Sequence, residues 1–488
     1  MIKKYTAIAD TTITDAYKSN MTVRGTGSNQ GESDSLQVFS VYGQQSSSSI
    51  ERSRILVKFN VNQISTDRTD GKISASGSVD FRLKLYNAVH SFTLPKKFTL
   101  NINAVSSSWD EGAGVDADSY TDLGVCNWVA ASSASSGVTN WDTEGGDIQT
   151  ASYVVGTNLP SYTKYFENGD EDLDVNITSL VEEWIADSNG TATDNNGVIL
   201  YLTDESSPSS SYNKKFYARG SEYFYKRPRI EAVWDSSIKD RRGDFYASSS
   251  LASATDNSNT IYFYNRVRGQ LKSIPGLTND VIYVRLYDDS VSGSLIVATT
   301  DPITGGLTST TGIYSASCVI NTTASYLFDR WYNSNLTTCF HSGSQISVKK
   351  FTDGGSYNEN PKYVLNIKNL KSQYSNNEIA RLRIFSRQKN WNPNVYNVVT
   401  SDIPTDTIED LYYAISRKID DYECIPFGTG SGNEAFTKCS FDISGSYFDL
   451  NANLLEPGYM YELSFKYKKS STDFEEIANR FKFRVEEE

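Results

Sequence analysis

Apolar side chains recur at every second position in short runs along the chain, the period of a strand with one face on a core and the other on water. In residues 53–61, Ile55, Val57, Phe59 and Val61 share a face. In residues 81–88, Phe81, Leu83 and Leu85 point one way while Arg82, Lys84 and Tyr86 point the other. The same alternation predicts strands at 260–264, 281–287, 459–467 and 480–485, and Ser-rich breakers separate the runs at 44–49, 132–137, 206–211 and 248–250. Short strands between polar turns predict sandwiches or jelly rolls, not a parallel sheet with crossover helices. Two segments change period. In 179–187, Leu180, Val181, Trp184 and Ile185 form a helical stripe, with Ser179 and Glu182 at capping-box spacing. In 407–419, Ile408, Leu411, Tyr412 and Ile415 repeat at helical spacing behind Thr407 and Asp410. The expectation is an all-β chain with two isolated short helices.

Two composition breaks divide it. A polar, charged stretch at 235–244 follows the strand-like Arg229-Ile230-Glu231-Ala232-Val233-Trp234, and a Gly- and Asn-rich stretch at 353–360 precedes a strand at 362–370. Three domains follow, 1–235, 236–355 and 356–488, each of ordinary size.

Composition fits this pattern and excludes some functions. The chain has 488 residues with 32 Tyr and 22 Phe, residue types that suit a pleated surface. A formal net charge of -13 argues against a nucleic-acid binder, which carries a basic footprint. The charge is uneven. Residues 98–213 hold one basic residue, Lys164, against 19 Asp and Glu, and are followed by Lys214, Lys215, Arg219, Lys226, Arg227 and Arg229. One reading is calcium, with oxygen ligands from Asp110, Glu111, Asp116, Asp118, Asp122 or residues 167–174. No EF-hand spacing is present. The other reading is solvated loops that repel one another and meet a basic neighbour in an assembly.

Catalytic patterns are missing. The chain contains no phosphate-cradling loop, zinc-protease helix or nucleophile elbow, and its two histidines, His90 and His341, fall in different expected domains. Cys126, Cys318, Cys339, Cys424 and Cys439 are odd in number and lack C-x-x-C spacing, which points to buried free thiols; 318 with 339, or 424 with 439, remain possible neighbours across strands. Residues 25–31 and 428–432 are Gly-rich without dinucleotide spacing and read as flexible turns. No catalytic, cofactor-binding or metal-ligating residue is assigned, no cofactor is expected, and the chain reads as non-enzymatic. Its start, Met1-Ile2-Lys3-Lys4, lacks the apolar run of a secretory signal, and no stretch approaches a membrane span, so the expectation is a soluble protein made in the cytoplasm.

Taken in order, the first 235 residues resemble a known family. The motifs are Ala9-Asp10-Thr11-Thr12-Ile13-Thr14-Asp15-Ala16, Ser53-Arg54-Ile55-Leu56-Val57-Lys58-Phe59 and Ser107-Ser108-Trp109-Asp110-Glu111-Gly112. They continue with Asp174-Val175-Asn176-Ile177-Thr178, Val181-Glu182-Glu183-Trp184, Asn195-Asn196-Gly197-Val198-Ile199-Leu200, Phe216-Tyr217-Ala218-Arg219 and Arg227-Pro228-Arg229-Ile230. This series resembles the DNRLRE-type domain, a jelly-roll β-sandwich related to carbohydrate-binding modules and found on bacterial surface proteins and in phage virions. The eponymous string is absent, only Arg219 remains of its arginine and glutamate arrangement, and the region from Trp109 to Asn195 is longer and more acidic than in the family. The resemblance implies core positions for Trp109 and Trp184, a helix at 179–187 closing one side, and a buried central strand at 198–202. It transfers no sugar site; Trp128 or Trp141, if exposed, would stack on a sugar ring, but packing into the fold is the favoured reading of both.

The later segments resemble immunoglobulin-like sandwiches. Phe328-Asp329-Arg330-Trp331-Tyr332 is similar to the central strand of such a domain. Ile425-Pro426-Phe427, Tyr447-Phe448-Asp449-Leu450 and Pro457-Gly458-Tyr459-Met460-Tyr461-Glu462-Leu463 are similar to the last domain of tailed-phage structural proteins. These resemblances imply a structural protein of a tailed-phage virion, in the neck, tail, baseplate or fibre attachment region. It would be a homo-oligomer bound to other virion proteins, without nucleic-acid or membrane partners. The alternative is a carbohydrate-binding adhesin contacting a host surface glycan.

Overall fold

The structure is a computed structural model that describes residues 1–42, 49–91, 96–118, 125–134, 137–150, 159–186, 194–206, 213–308, 310–350, 361–391, 405–430, 432–470 and 472–487. The expected linker at 353–360 and most of the breakers at 44–49 and 206–211 lie outside them. The chain is all-β and separates into two compact units, residues 2–234 and residues 235–488 with Met1.

In the first unit one long strand, Ile2–Thr14, belongs to two sheets. Residues 2–6 pair antiparallel with Arg229–Val233, which continues to Asp80–Leu85 and Leu173–Asn176. After a bulge between Ala7 and Ala9, the same strand pairs with Ile50–Phe59, followed by Val198–Leu202, Phe98–Val105 and Tyr162–Phe166. A bulge bends its strand and raises the local twist, which lets one strand serve both layers. The inward residues of both sheets share one core: Ile55, Val57, Leu100, Ile102, Val198 and Leu200 from one, Phe81, Leu83, Leu85, Ile230 and Ala232 from the other. This is a β-sandwich. Strand Val198–Leu202 sits in the middle of its sheet and is buried except at Tyr201, as its continuous apolar run predicts.

That strand, and Ile50–Phe59 at Leu56, are buried on both faces because a second, smaller core covers the outside of the sheet. Ile13, Leu56, Val105 and Ile199 point outward there and meet Trp109, Cys126, Trp128, Ala131 and Trp141.

Among the described residues, two α-helices lie in this unit. Thr178–Ala186 matches the predicted stripe, burying Leu180, Val181 and Trp184, but the predicted capping box does not form. Ser179 Oγ bonds the Tyr162 hydroxyl at 2.7 Å, and Glu182 instead takes a bidentate pair from Arg68 at 2.6 and 2.7 Å. Arg68 belongs to a helix that the alternation hid, Val61–Thr69, capped by the Asn60 side chain and burying Val61, Ile64 and Asp67.

In the second unit the strands Phe245–Tyr246, Cys339–Lys349, Tyr326–Tyr332, Val281–Tyr287, Ile303–Leu307, Ile313–Cys318 and Asn259–Tyr264 follow one another in a sheet. The sheet curls so that Ile261, Val284, Tyr314, Trp331 and Ile346 share one core. Beyond residue 361 a four-stranded and a five-stranded sheet face each other across Phe448, which stacks on Tyr413 at 4.2 Å and meets Phe465 edge-on at 6.1 Å. The expected helix at 407–419 is overturned here. Leu411–Arg417 is a strand of the five-stranded sheet, between Met460–Lys468 and Tyr422–Ile425. Leu411, Tyr412, Tyr413, Ala414 and Ile415 are all buried, so a strand covered on both faces produced an apolar run that the helical spacing also fits.

The polar stretch at 235–244 is built into this unit. Asp240 N–H donates to Phe441 O at 3.0 Å and Phe441 N–H to Ile238 O at 2.9 Å, while Arg242 donates to Tyr262 O and Asp329 Oδ2, both at 2.5 Å.

Candidate functional site

Three motifs far apart in sequence meet in the first unit. Beyond the bulge, residues 9–14 form a continuous ladder only with Ile50–Phe59 and meet the other side through a single bridge from Ile13 to Asn29, so other outward N–H groups need side-chain partners. Glu111 Oε1 accepts the Asp10 N–H at 2.7 Å. Arg219 clamps the same carboxylate through Nε at 3.0 Å and Nη2 at 2.7 Å, and its own backbone N–H donates to Asp10 Oδ2 at 2.6 Å. Asp10 is 0% exposed, and its Oδ1 has no hydrogen-bond partner among the described residues. Burial pushes its carboxyl up to about 7, and the neighbouring Glu111 adds to the rise; the bond from Arg219 N–H and the charges of Arg219 and Arg227 oppose it without overcoming it.

The loop that carries Glu111 is locked against the Gly-rich segment expected to be a flexible turn. Ser28, Asn29 and Gln30 are buried. Asn29 Oδ1 accepts the Gly114 N–H at 2.8 Å, and Glu32 N–H donates to Gly114 O at 3.0 Å. Gly112 has φ +79°, and a Cβ there would lie 2.4 Å from Asn29 Nδ2. Packing density requires these glycines, and the flexible-turn expectation fails. The other Gly-rich turn is also anchored, with Gly428 N–H donating to Thr437 Oγ1 at 2.8 Å; Ser431 lies outside the described residues.

A second buried carboxylate, Glu231, sits among cations. Arg229 Nε pairs with it at 2.7 Å and Lys84 Nζ at 3.0 Å. Burial opposes its ionisation, but Arg229, Lys84 and Lys4 override that and hold it at about 2.

The acidic segment pairs with the rest of its own sandwich. Besides Glu111 with Arg219 and Glu182 with Arg68, Glu205 pairs with Arg54, and Asp174 with Arg82 at 2.8 Å and Lys84 at 3.5 Å. All these cations lie outside 98–213. Other carboxylates tie loops: Asp147 accepts from Ser107 Oγ and the N–H groups of Asp142 and Thr143, and Glu171 from those of Glu167, Asn168 and Gly169. Of the calcium candidates, Glu111 is taken by Arg219, Asp116 accepts the Asp118 N–H, Asp118 the Ser19 N–H and Asp172 the Asn87 N–H. Asp122 lies outside the described residues. Among those described, no group of three or more His, Cys, Asp or Glu is arranged to hold a metal ion.

The two tryptophans considered for sugar stacking are core residues. Trp128 is 2% exposed, with the guanidinium groups of Arg52 and Arg54 5.1 and 5.3 Å from its ring. Trp141 is 5% exposed and donates Nε1–H to Asn127 O at 2.8 Å. Trp109 and Trp184 are buried as expected, although in separate cores.

The five cysteines are free; Cys126, Cys318 and Cys439 are buried, and burial raises each thiol above its usual range. Neither expected pair of neighbours is bonded. Burial lowers both histidines, and His341 stacks on Phe263 at 4.9 Å. Sequence reasoning missed Lys214, treated only as part of a basic border. It is fully buried on the same strand face as Phe216, a position that period-two alternation within Lys214-Lys215-Phe216-Tyr217 shows.

No family model matches the chain, and no curated protein matches it in sequence. Among solved structures, a marsupial T cell receptor aligns over 50% of this chain and 70% of that chain at 6% sequence identity, with a TM-score of 0.16. A score that low carries no argument. Among the described residues no helix is long and apolar enough to cross a membrane.

Proposed function

We propose that the chain is a non-enzymatic structural protein of a tailed-phage virion, joining components of the neck, tail, baseplate or fibre attachment region through a jelly-roll-like sandwich and two immunoglobulin-like β-sandwiches. The observation that carries this reading is the meeting of Asp10, Glu111 and Arg219, one residue from each of three motifs of the DNRLRE-type resemblance. These residues fasten an edge strand and two loops to a sandwich. That role suits a domain whose surface, and not a cleft, makes its contacts. The ion pairs of the acidic segment support the same reading, because they fix its described parts to the rest of the same sandwich. In this reading the partners are other virion proteins, the chain is a homo-oligomer in the particle, and its place is the virion.

Mass spectrometry of purified particles, with antibody-labelled electron microscopy, tests the proposal; absence of the chain from intact virions overturns it. The adhesin alternative is weakened by the burial of Trp128 and Trp141, and reproducible glycan-array binding by the full chain would restore it.

A further inference from the structure

Lys214 and Asn87 form a site with unusual chemistry for a sandwich interior. Lys214 opens strand Lys214–Tyr217 and is 0% exposed. Its Nζ stands 4.9 Å from the ring of Phe216 and 5.1 Å from that of Phe166. It donates to Asn87 Oδ1 at 2.6 Å, Gly169 O at 2.8 Å and Glu171 O at 2.9 Å. Asn87 is fixed as well: its backbone bridges Phe216, two residues from Lys214, and its N–H donates to Asp172 Oδ1 at 2.7 Å. A carbonyl bond of about 1.23 Å places Asn87 Cγ no farther than about 3.8 Å from Nζ, close to the separation from which an amine attacks.

We propose that Lys214 and Asn87 join in an intramolecular isopeptide bond. The lysine amine, having lost its proton, attacks Asn87 Cγ through its lone pair, and the Nζ–Cγ bond forms. As the Cγ–Nδ2 bond breaks, a second Nζ proton passes to Nδ2, which leaves as ammonia; the ammonia then takes up the proton the lysine released before attack. Ammonium and a secondary amide are the only products, so no oxidant or co-reactant is needed. Burial lowers the Lys214 ammonium to about 8, against the opposing charges of Asp172, Glu171 and Asp170, so roughly one-tenth of the amine is neutral at pH 7. The link would close a 127-residue span that contains strands Phe98–Val105, Tyr162–Phe166 and Val198–Leu202. It stands whether or not the chain belongs to a virion.

The test is the intact mass of the purified full chain under denaturing conditions, after incubation at about pH 9, where the lysine is mostly neutral. The expected result is a mass lower by one ammonia, no tryptic cleavage after Lys214, and a branched peptide containing Asn87 and Lys214. Lys214→Arg should keep the full sequence mass. An unmodified wild-type mass with ordinary cleavage after Lys214 overturns the proposal, as does an equal loss of ammonia from Lys214→Arg. The branched peptide is sought in the wild type, so the answer stands even if the variant misfolds.

Discussion

Asp10 and Glu231 are both buried carboxylates in strands of the same sandwich, and their acidities move in opposite directions. Asp10 shares Arg219 with a second carboxylate, Glu111, and one of its oxygens has no partner among the described residues; its pKa rises to about 7. Glu231 faces Arg229, Lys84 and Lys4, and falls to about 2. Burial penalises ionisation at both sites. The local ratio of cations to carboxylates decides the sign.

The largest expected effect comes from removing the cation that Glu231 depends on. Arg229→Ala leaves a buried carboxylate without its closest partner and should cost about 3–5 kcal/mol at pH 7. Urea unfolding followed by tryptophan fluorescence checks this, since five of the seven tryptophans lie in residues 2–234; a loss below 1 kcal/mol would mean that Lys84 and Lys4 suffice.

The next effect depends on pH. Asp10 has a folded pKa above its unfolded 3.8, so the folded state binds the extra proton, and the stability this brings is complete below about 4 and lost as pH rises through about 7. Asp10→Asn should therefore gain on the wild type by up to about 4 kcal/mol between pH 4 and pH 8. Glu231 is the reverse case: its contribution is present above 4.5 and lost as pH falls through about 2. Glu231→Gln should cost about 3 kcal/mol at neutral pH and progressively less in acid. Parallel stability curves for wild type and either variant between pH 3 and pH 8 would remove the contrast.

Gly112→Ala tests whether the Asp10 site depends on tight loop packing. With φ +79° and Asn29 2.4 Å from the added carbon, the change should cost about 1–3 kcal/mol, read as a lower Tm. The smallest effect concerns calcium. EDTA should leave the Tm of the full chain unchanged, because Glu111, Asp174, Glu182 and Glu205 already hold cations and Asp118, Asp147, Glu171 and Asp172 accept from backbone N–H groups; a drop of several degrees would return the ion to consideration.

The strand pattern was legible wherever one face met a core and the other met water, as in Asp80–Leu85 or Val281–Tyr287. It misled where both faces were covered. Leu411–Arg417 imitated a helix because Tyr412 and Ala414 were buried as thoroughly as Leu411, Tyr413 and Ile415. Val61–Thr69 was missed for the opposite reason, since its start continued a strand's alternation and only Asn60 marked the change. For the site, Asp10, Glu111 and Arg219 each stood in a quoted motif, yet nothing in one dimension joined residues 101, 108 and 209 positions apart.

The sequence by itself determined the all-β class, the helix at Thr178–Ala186 and the buried strand Val198–Leu202, because side-chain periodicity reports local burial. Tertiary structure decided which charges meet. The acidity of 98–213 looked like a surface awaiting a cation until folding brought Arg54, Arg68, Arg82, Lys84 and Arg219 to it. Trp128 and Trp141 became core residues only when their loop folded over the outer face of a sheet. Both outcomes depend on contacts between distant segments, where burial and Coulomb terms are set by three-dimensional neighbours and leave no periodic trace along the chain.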